Sequence, residues 1–228
     1  ATNVGTSFSF AALTFDESDI GTHYYLIKET PGSFGGVQYD DTSYLVKVVI
    51  SDGGNGALVA TVTYMDYEVE TSKWVTVAGA AFKNIYTATG SFTPSVSKVL
   101  TGRDLGANEF SFVLEKLAAG SDPEVWDEVE TQKNLADGTI PFSAINYTLA
   151  DVGVHTYRIT EQAVVPAGVI RDLLVVTYTV EVSDKGDGTL AVSFDTPNDT
   201  EFNNLYTAAG SFTPLVTKAL TGRVLSAN

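Results

Sequence analysis

The sequence predicts an all-β fold of tandem β-sandwich modules, on three observations. Apolar residues recur with a period of two rather than 3.6. Short runs rich in Val, Thr, Tyr and Phe are separated by Gly- and Asp-containing turn clusters. The chain also repeats itself at a spacing of about one small domain.

The strands follow in order. Tyr44 to Ile50 and Leu58 to Tyr64 flank Gly53-Gly-Asn-Gly56, a hairpin signal. The second copy is clearer. Val176, Tyr178, Val180 and Val182 alternate with Thr177, Thr179, Glu181 and Ser183, which describes a half-buried strand. Asp184-Lys-Gly-Asp-Gly188 turns the chain, and Leu190-Ala-Val-Ser-Phe194 resumes it. Asp122 to Gln132 is the one weak helix candidate.

The repeat has two offsets. Phe82-Lys-Asn-Ile-Tyr-Thr-Ala-Thr-Gly-Ser-Phe-Thr-Pro94 recurs as Phe202-Asn-Asn-Leu-Tyr-Thr-Ala-Ala-Gly-Ser-Phe-Thr-Pro214, and Lys98-Val-Leu-Thr-Gly-Arg103 as Lys218-Ala-Leu-Thr-Gly-Arg223. Both lie 120 residues apart. His23-Tyr-Tyr-Leu-Ile-Lys-Glu29 pairs with His155-Thr-Tyr-Arg-Ile-Thr-Glu161, 132 residues later. The change of offset places a twelve-residue insertion in the first copy between Leu58 and Phe82. Residues 91–208 are thus expected to form one complete module. Residues 1–90 read as the rear of a preceding module lacking its opening strands, and 209–228 as the opening strand of a following one. Such a chain is an excerpt of a longer array or a unit that exchanges strands with its neighbours.

Composition narrows the function. The net charge of −15 argues against binding nucleic acid. No run approaches the about 18 apolar residues of a membrane span. No targeting or lipidation signal is read, so any such segment is expected outside this sequence. There is no cysteine, hence no disulfide and no thiolate metal site.

Parity along the strands isolates three polar residues per module. Glu161 shares a face with Tyr157 and Ile159, and Glu29 with Tyr25 and Ile27. Lys98 lies between Val96 and Leu100, and Lys218 between Val216 and Leu220. Asn204 lies between Phe202 and Tyr206, and Asn84 between Phe82 and Tyr86. Polar groups buried apart would each need a partner, so the economical arrangement is that they meet. Burial then lowers the Lys pKa and raises the Glu pKa. A neutral amine is a nucleophile. A protonated Glu donating to the Asn side-chain carbonyl, then shuttling protons, would assist attack that expels ammonia. A buried salt bridge beside an Asn satisfies the same parity.

These residues carry a family resemblance. Gly-x-x-x-Tyr-x-Ile-x-Glu, at Gly21 to Glu29 and Gly153 to Glu161, resembles the Glu-bearing strand of the streptococcal pilin isopeptide-linkage repeat, a Cna-B-like family of Gram-positive surface proteins. Gly36-Val-Gln-Tyr-Asp-Asp-Thr-Ser-Tyr44 resembles its next strand, Phe-x-Asn-x-Tyr at 82–86 and 202–206 its closing strand, and Lys98-Val-Leu-Thr-Gly followed by Phe110-Ser-Phe-Val-Leu114 its opening. The resemblance spans nearly the whole chain and implies immunoglobulin-like, Cna-B-like sandwiches. It further implies a Lys98–Asn204 bond assisted by Glu161. Glu29 and Asn84 lack a lysine in this chain, and Lys218 lacks a following Asn, so Lys218 of one chain serving Asn84 of the next is one reading and a chain cut at that point is the other. Arg171-Asp-Leu-Leu-Val stands where the first copy has Tyr39-Asp-Asp-Thr-Ser. A pilin-type lysine motif for sortase polymerisation is not found.

The expected function is an extracellular structural stalk, pilus or fibre module on a bacterial surface. Its expected partners are neighbouring copies or modules, joined by strand exchange in one version. The alternative is an adhesin that binds a host ligand through the insertions at 59–81 and 115–135. No cofactor or metal is expected. Asp52-Gly-Gly-Asn-Gly56 and Asp184-Lys-Gly-Asp-Gly188 lack the twelfth-position Glu of a calcium loop and read as turns. Asp40-Asp41 reads as a turn start rather than a cation site. His23 and His155 are equivalent and so structural, and Trp74 and Trp126 are expected to pack locally. Nothing selects a catalytic pair for turnover, so the chain is not expected to be an enzyme.

Overall fold

The computed structural model describes residues 7–224. The outermost parts of the expected modules at 1–90 and 209–228 therefore lie outside the described residues. The protein is nearly all β, arranged as two compact units. One comprises residues 1–89 with 184–190, the other residues 90–183 with 191–228.

In the first unit, β1 (Gly21–Lys28), β3 (Ser43–Asp52), β4 (Leu58–Glu68) and β5 (Lys73–Val77) form an antiparallel sheet in the order β1-β3-β4-β5. β2 (Val37–Gln38) pairs separately with β6 (Ile85–Tyr86). Tyr25 faces Val46 and Ile27 faces Tyr44 across the β1/β3 ladder. Alternation buries Tyr44, Val46, Val48 and Ile50 on one face of β3. Phe15, Tyr25, Ile27, Leu58 and Tyr64 pack against this small core. The inserted residues prolong β4 and build β5, so they extend the sheet at its edge. There Trp74 packs against Tyr67 at 5.3 Å between ring centres.

The second unit is a β-sandwich. Its larger sheet has the order β10-β9-β12-β14-β15, from β9 (Ser111–Leu117), β10 (Trp126–Lys133), β12 (Gly153–Glu161), β14 (Val175–Asp184) and β15 (Leu190–Phe194). Opposite lies a three-stranded sheet of β13 (Val169–Ile170), β16 (Glu201–Tyr206) and β8 (Ser97–Thr101). β11 (Ile145–Thr148) pairs with β7 (Thr89–Phe92). Phe112 of β9 and Phe202 of β16 meet at 5.0 Å between ring centres, which closes the two layers on each other. Leu114, Tyr157, Ile159, Val176 and Val180 complete the core.

The structure corrects the weak helix expected over Asp122 to Gln132. Residues 126–133 are a strand, paired with β9 from Trp126↔Leu117 to Lys133↔Ser111 with a bulge at Glu128/Glu130. The open edge of β9 offers backbone partners, and that tertiary pairing outweighs a marginal local preference. Trp126 stacks over the Arg158 guanidinium at 4.3 Å. His23 and His155 each place Nε2 2.7 Å from a backbone carbonyl, of Asp19 and Asp151.

Candidate functional site

β12 delivers its last residue inward. The alternation that buries Tyr157 and Ile159 also buries Glu161. β8 alternates likewise, so Lys98 points inward between Val96 and Leu100. β16 runs parallel to β8, with Lys98 opposite Phe202 and Leu100 opposite Asn204. The three polar side chains meet between the layers, and Lys98, Glu161 and Asn204 are 2%, 3% and 2% exposed.

The Glu161 carboxyl bridges the other two. Lys98 Nζ lies 3.2 Å from Oε2, and Asn204 Nδ2 donates to Oε1 at 2.6 Å. Lys98 Nζ also donates to the Phe202 carbonyl at 3.0 Å and sits 4.8 Å from the centre of the Phe110 ring. Burial pushes the Lys98 ammonium below its usual range, against the opposing pull of the Glu161 charge. Burial likewise raises the Glu161 carboxyl, opposed by the Asn204 hydrogen bond and by Lys98. Both shifts run toward the uncharged form of each group.

The Asn204 carbonyl is bonded differently from expectation. Glu161 does not donate to it. Oδ1 accepts the Asp172 backbone N–H at 2.7 Å, and the amide therefore turns its NH2 toward Glu161. The Asp172 carboxylate fixes this turn by accepting from Leu174 N and Asn203 N at 3.0 and 2.7 Å. Arg171 donates to the Glu161 carbonyl. Sequence reasoning passed over Asp172 and Arg171. The signal for Asp172 lay in the repeat, since Asp40 and Asp172 keep the 132-residue offset.

Among the described residues, the first unit holds the acid and the amide without a lysine beside them. Asn84 Nδ2 donates to Glu29 Oε1 at 2.8 Å, and Asn84 Oδ1 accepts Asp40 N at 2.8 Å. Asp40 accepts from Thr42 N and Lys83 N at 2.9 and 2.6 Å, the role Asp172 plays in the second unit. Glu29 Oε2 is buried without a hydrogen-bond partner, and Asn84 is exposed. Lys218 does not take the inward face expected of it. Residues 207–224 form no strand and are exposed, because a strand holds its alternation only when a neighbouring strand pairs with it.

A family model described as FctA, Spy0128-like isopeptide containing domain, matches residues 1–87 and again 94–207. The chain belongs to that family. No curated protein sequence matches it. Among solved structures it is similar to the T-13 major pilin protein of Streptococcus pyogenes, with 16% identity, 82% of this chain and 66% of the pilin covered, and a TM-score of 0.25. A mutant of the major pilin from Streptococcus pyogenes gives 21% identity, 84% and 73% coverage and a TM-score of 0.25. Membership in the isopeptide-domain family matches the tandem β-sandwich architecture and the pairing of matched segments with repeated strands. No helix among the described residues is long and apolar enough to cross a membrane.

Proposed function

We propose that the chain is a shaft module of a bacterial surface pilus or stalk, hardened by an isopeptide bond between Lys98 and Asn204. The observation that carries this reading is the carboxyl of Glu161, held between the amine and the amide nitrogen in a dry site.

The chemistry follows from that bridge. The neutral Lys98 amine attacks the side-chain carbonyl carbon of Asn204. Negative charge develops on Oδ1, where the Asp172 N–H already donates. One such donor is worth about 3 kcal/mol in comparable sites. Glu161 takes the proton that Nζ loses and returns one to Nδ2. The C–Nδ2 bond breaks, ammonia leaves, and a Lys–Asn amide remains. The reaction runs once per molecule, on the protein itself. Fixed geometry and low dielectric supply its acceleration.

The product suits a load-bearing fibre. The bond would join β8 to β16, closing a loop of about 100 residues, which the chain-entropy model values at about 4–5 kcal/mol. Neighbouring copies or modules are the proposed partners and the bacterial surface the proposed location.

The test is intact mass under denaturing conditions, for the wild type and Glu161→Ala. The expected result is a deficit of one ammonia, mapped to a Lys98–Asn204 peptide and absent from the variant. Full mass in the folded wild type would rule the bond out.

A further inference from the structure

Among the described residues, the buried polar and charged side chains of the second unit are Lys98, Glu161, Asn204 and Asn134. The first three form the site. Asn134 is 0% exposed and hydrogen-bonds to none of them. A carboxamide buried this deeply is tolerated only when its own hydrogen bonds are made. Asn134 makes two through its oxygen and two through its nitrogen, the full capacity of the group. Oδ1 accepts Glu109 N at 3.1 Å and Phe110 N at 2.8 Å. Nδ2 donates to Gly106 O at 2.7 Å and to Leu135 O at 2.9 Å.

These bonds bracket Lys98 from two sides. On one side they fix the backbone of Phe110, whose ring lies 4.8 Å from Lys98 Nζ. On the other they fix a turn over residues 135–139. Leu135 O also accepts Gly138 N at 3.1 Å, and Leu135 N donates to Thr139 O at 2.8 Å. That turn grips β8 at the lysine itself: Lys98 N donates to Gly138 O at 2.7 Å, and Ser97 bridges to Thr139. The fit is close. Gly138 has φ +89°, and a Cβ there would overlap the Lys98 carbonyl oxygen. The opposite edge of β8 belongs to β16, where Ser97 N donates to Thr200 O at 2.9 Å. β8 is thus held between the strand that carries Asn204 and a turn anchored by Asn134.

We propose that Asn134 is the positioning residue for the Lys98 amine. It ties the Phe110 ring and the 135–139 turn into one frame, and that frame sets where Nζ stands relative to the Asn204 carbonyl. Its effect on rate rests on the Lys98–Asn204 chemistry proposed above. Asn134 touches no reacting atom, so it acts only through Lys98. Attack on a carbonyl depends steeply on the approach of the nucleophile, and a displacement of about 1 Å can cost about 100-fold in rate.

Two measurements on the 228-residue protein test this. The first needs no cross-link. In Asn204→Ala, where the bond cannot form, the ring current of Phe110 should move the Lys98 Cε protons away from the resonance of exposed lysines. Adding Asn134→Ala or Gly138→Ala should return them toward it. The milder Asp137→Ala, an exposed change that removes the acceptor of Thr139 N, should move them part of the way. Val180→Ala loosens the same core opposite His155, away from the site, and should leave them in place. The second measurement follows ammonia loss by mass after synthesis, with Asn204 intact. Asn134→Ala and Gly138→Ala should slow it by about 10-fold or more, and Val180→Ala should not. A folded Asn134→Ala with the wild-type rate and an unmoved Lys98 signal overturns the proposal and leaves the bond itself standing. So does a Val180→Ala that shifts both readings as far, since Asn134 would then serve the core alone. A wild type that loses no ammonia rules out the bond, while the Lys98 signal still decides whether Asn134 places the amine.

Discussion

Glu29 and Glu161 stand at the ends of matching strands, each holding an Asn whose carbonyl is pinned by the N–H of an Asp. Among the described residues, Glu161 alone of the two has a lysine on its second oxygen. The comparison separates the site into two parts of different origin. In the first unit the acid, the amide and the pinning turn stand together with no lysine bonded to them among the described residues. In the second unit β8 brings the amine, and there the Asn is buried, where its counterpart Asn84 is exposed. An unpartnered buried acceptor costs about 1–3 kcal/mol.

The largest expected effect comes from making the second site resemble the first. Lys98→Met prevents the proposed cross-link and leaves the buried Glu161 carboxyl without the amide N–H that the bond would set beside it. Losing the closed loop forfeits about 4–5 kcal/mol, and the buried acceptor left unsatisfied adds about 1–3 kcal/mol. Chemical denaturation should show the second unit destabilised by at least roughly 5 kcal/mol, with full intact mass. Adding Glu161→Leu to that variant should recover part of the loss by removing the orphaned carboxyl. Asn84→Ala in the monomer should change stability by no more than about 1 kcal/mol, the worth of one hydrogen bond at an exposed residue. Equal effects at the two sites would dissolve the contrast between them.

Much of this was legible in the sequence, and the residues show why. Period-two alternation in a sheet ties side-chain direction to position, so Tyr157, Ile159 and Glu161 must share a face whatever the sheet packs against. The same rule aligned Lys98 with Val96 and Leu100. It failed at Lys218, because parity has meaning only once a neighbouring strand supplies pairing, and residues 207–224 have none among the described residues. Asp172 was not legible as a working residue because its contribution to Asn204 is a backbone N–H, which any residue type could provide. Its carboxylate acts at one remove, on the N–H groups of Leu174 and Asn203. The strand at 126–133 was missed since its pairing is set by the exposed edge of β9, not by its own residues.

A smaller effect sharpens the role of that pinning turn. Asp172→Ala removes two acceptors from the turn that presents its own N–H to Asn204. The carbonyl loses its fixed donor geometry, and the rate of bond formation should fall about 10-fold or more, by analogy with oxyanion donors. A time course of ammonia loss by mass after synthesis would read it. Asp172→Asn keeps an acceptor for one of the two N–H groups and should recover most of the rate. Asp40→Ala should leave the Lys98–Asn204 time course unchanged, because it serves the other site.

The smallest effect is a pH dependence visible only when the bond cannot form. In Asn204→Ala the Lys98–Glu161 pair stays unreacted. Burial raises Glu161 in the folded protein, so between its ordinary value of 4.5 and its raised value the folded state holds more protons than the unfolded chain. Stability must fall as pH rises through that window. Burial lowers Lys98, so between its lowered value and 10.5 the unfolded chain holds more protons, and stability must rise with pH there. Stability against pH should therefore show a trough between the two windows, measured by denaturant midpoints. Carrying Lys98→Met and Glu161→Leu together in the same background should flatten the trough and, by replacing a buried pair with apolar groups, match or exceed the stability of Asn204→Ala. A curve for Asn204→Ala that falls steadily below pH 7, with no recovery toward pH 4.5, would mean that Glu161 is held ionised by its lysine, and a different proton carrier would then be needed for the bond.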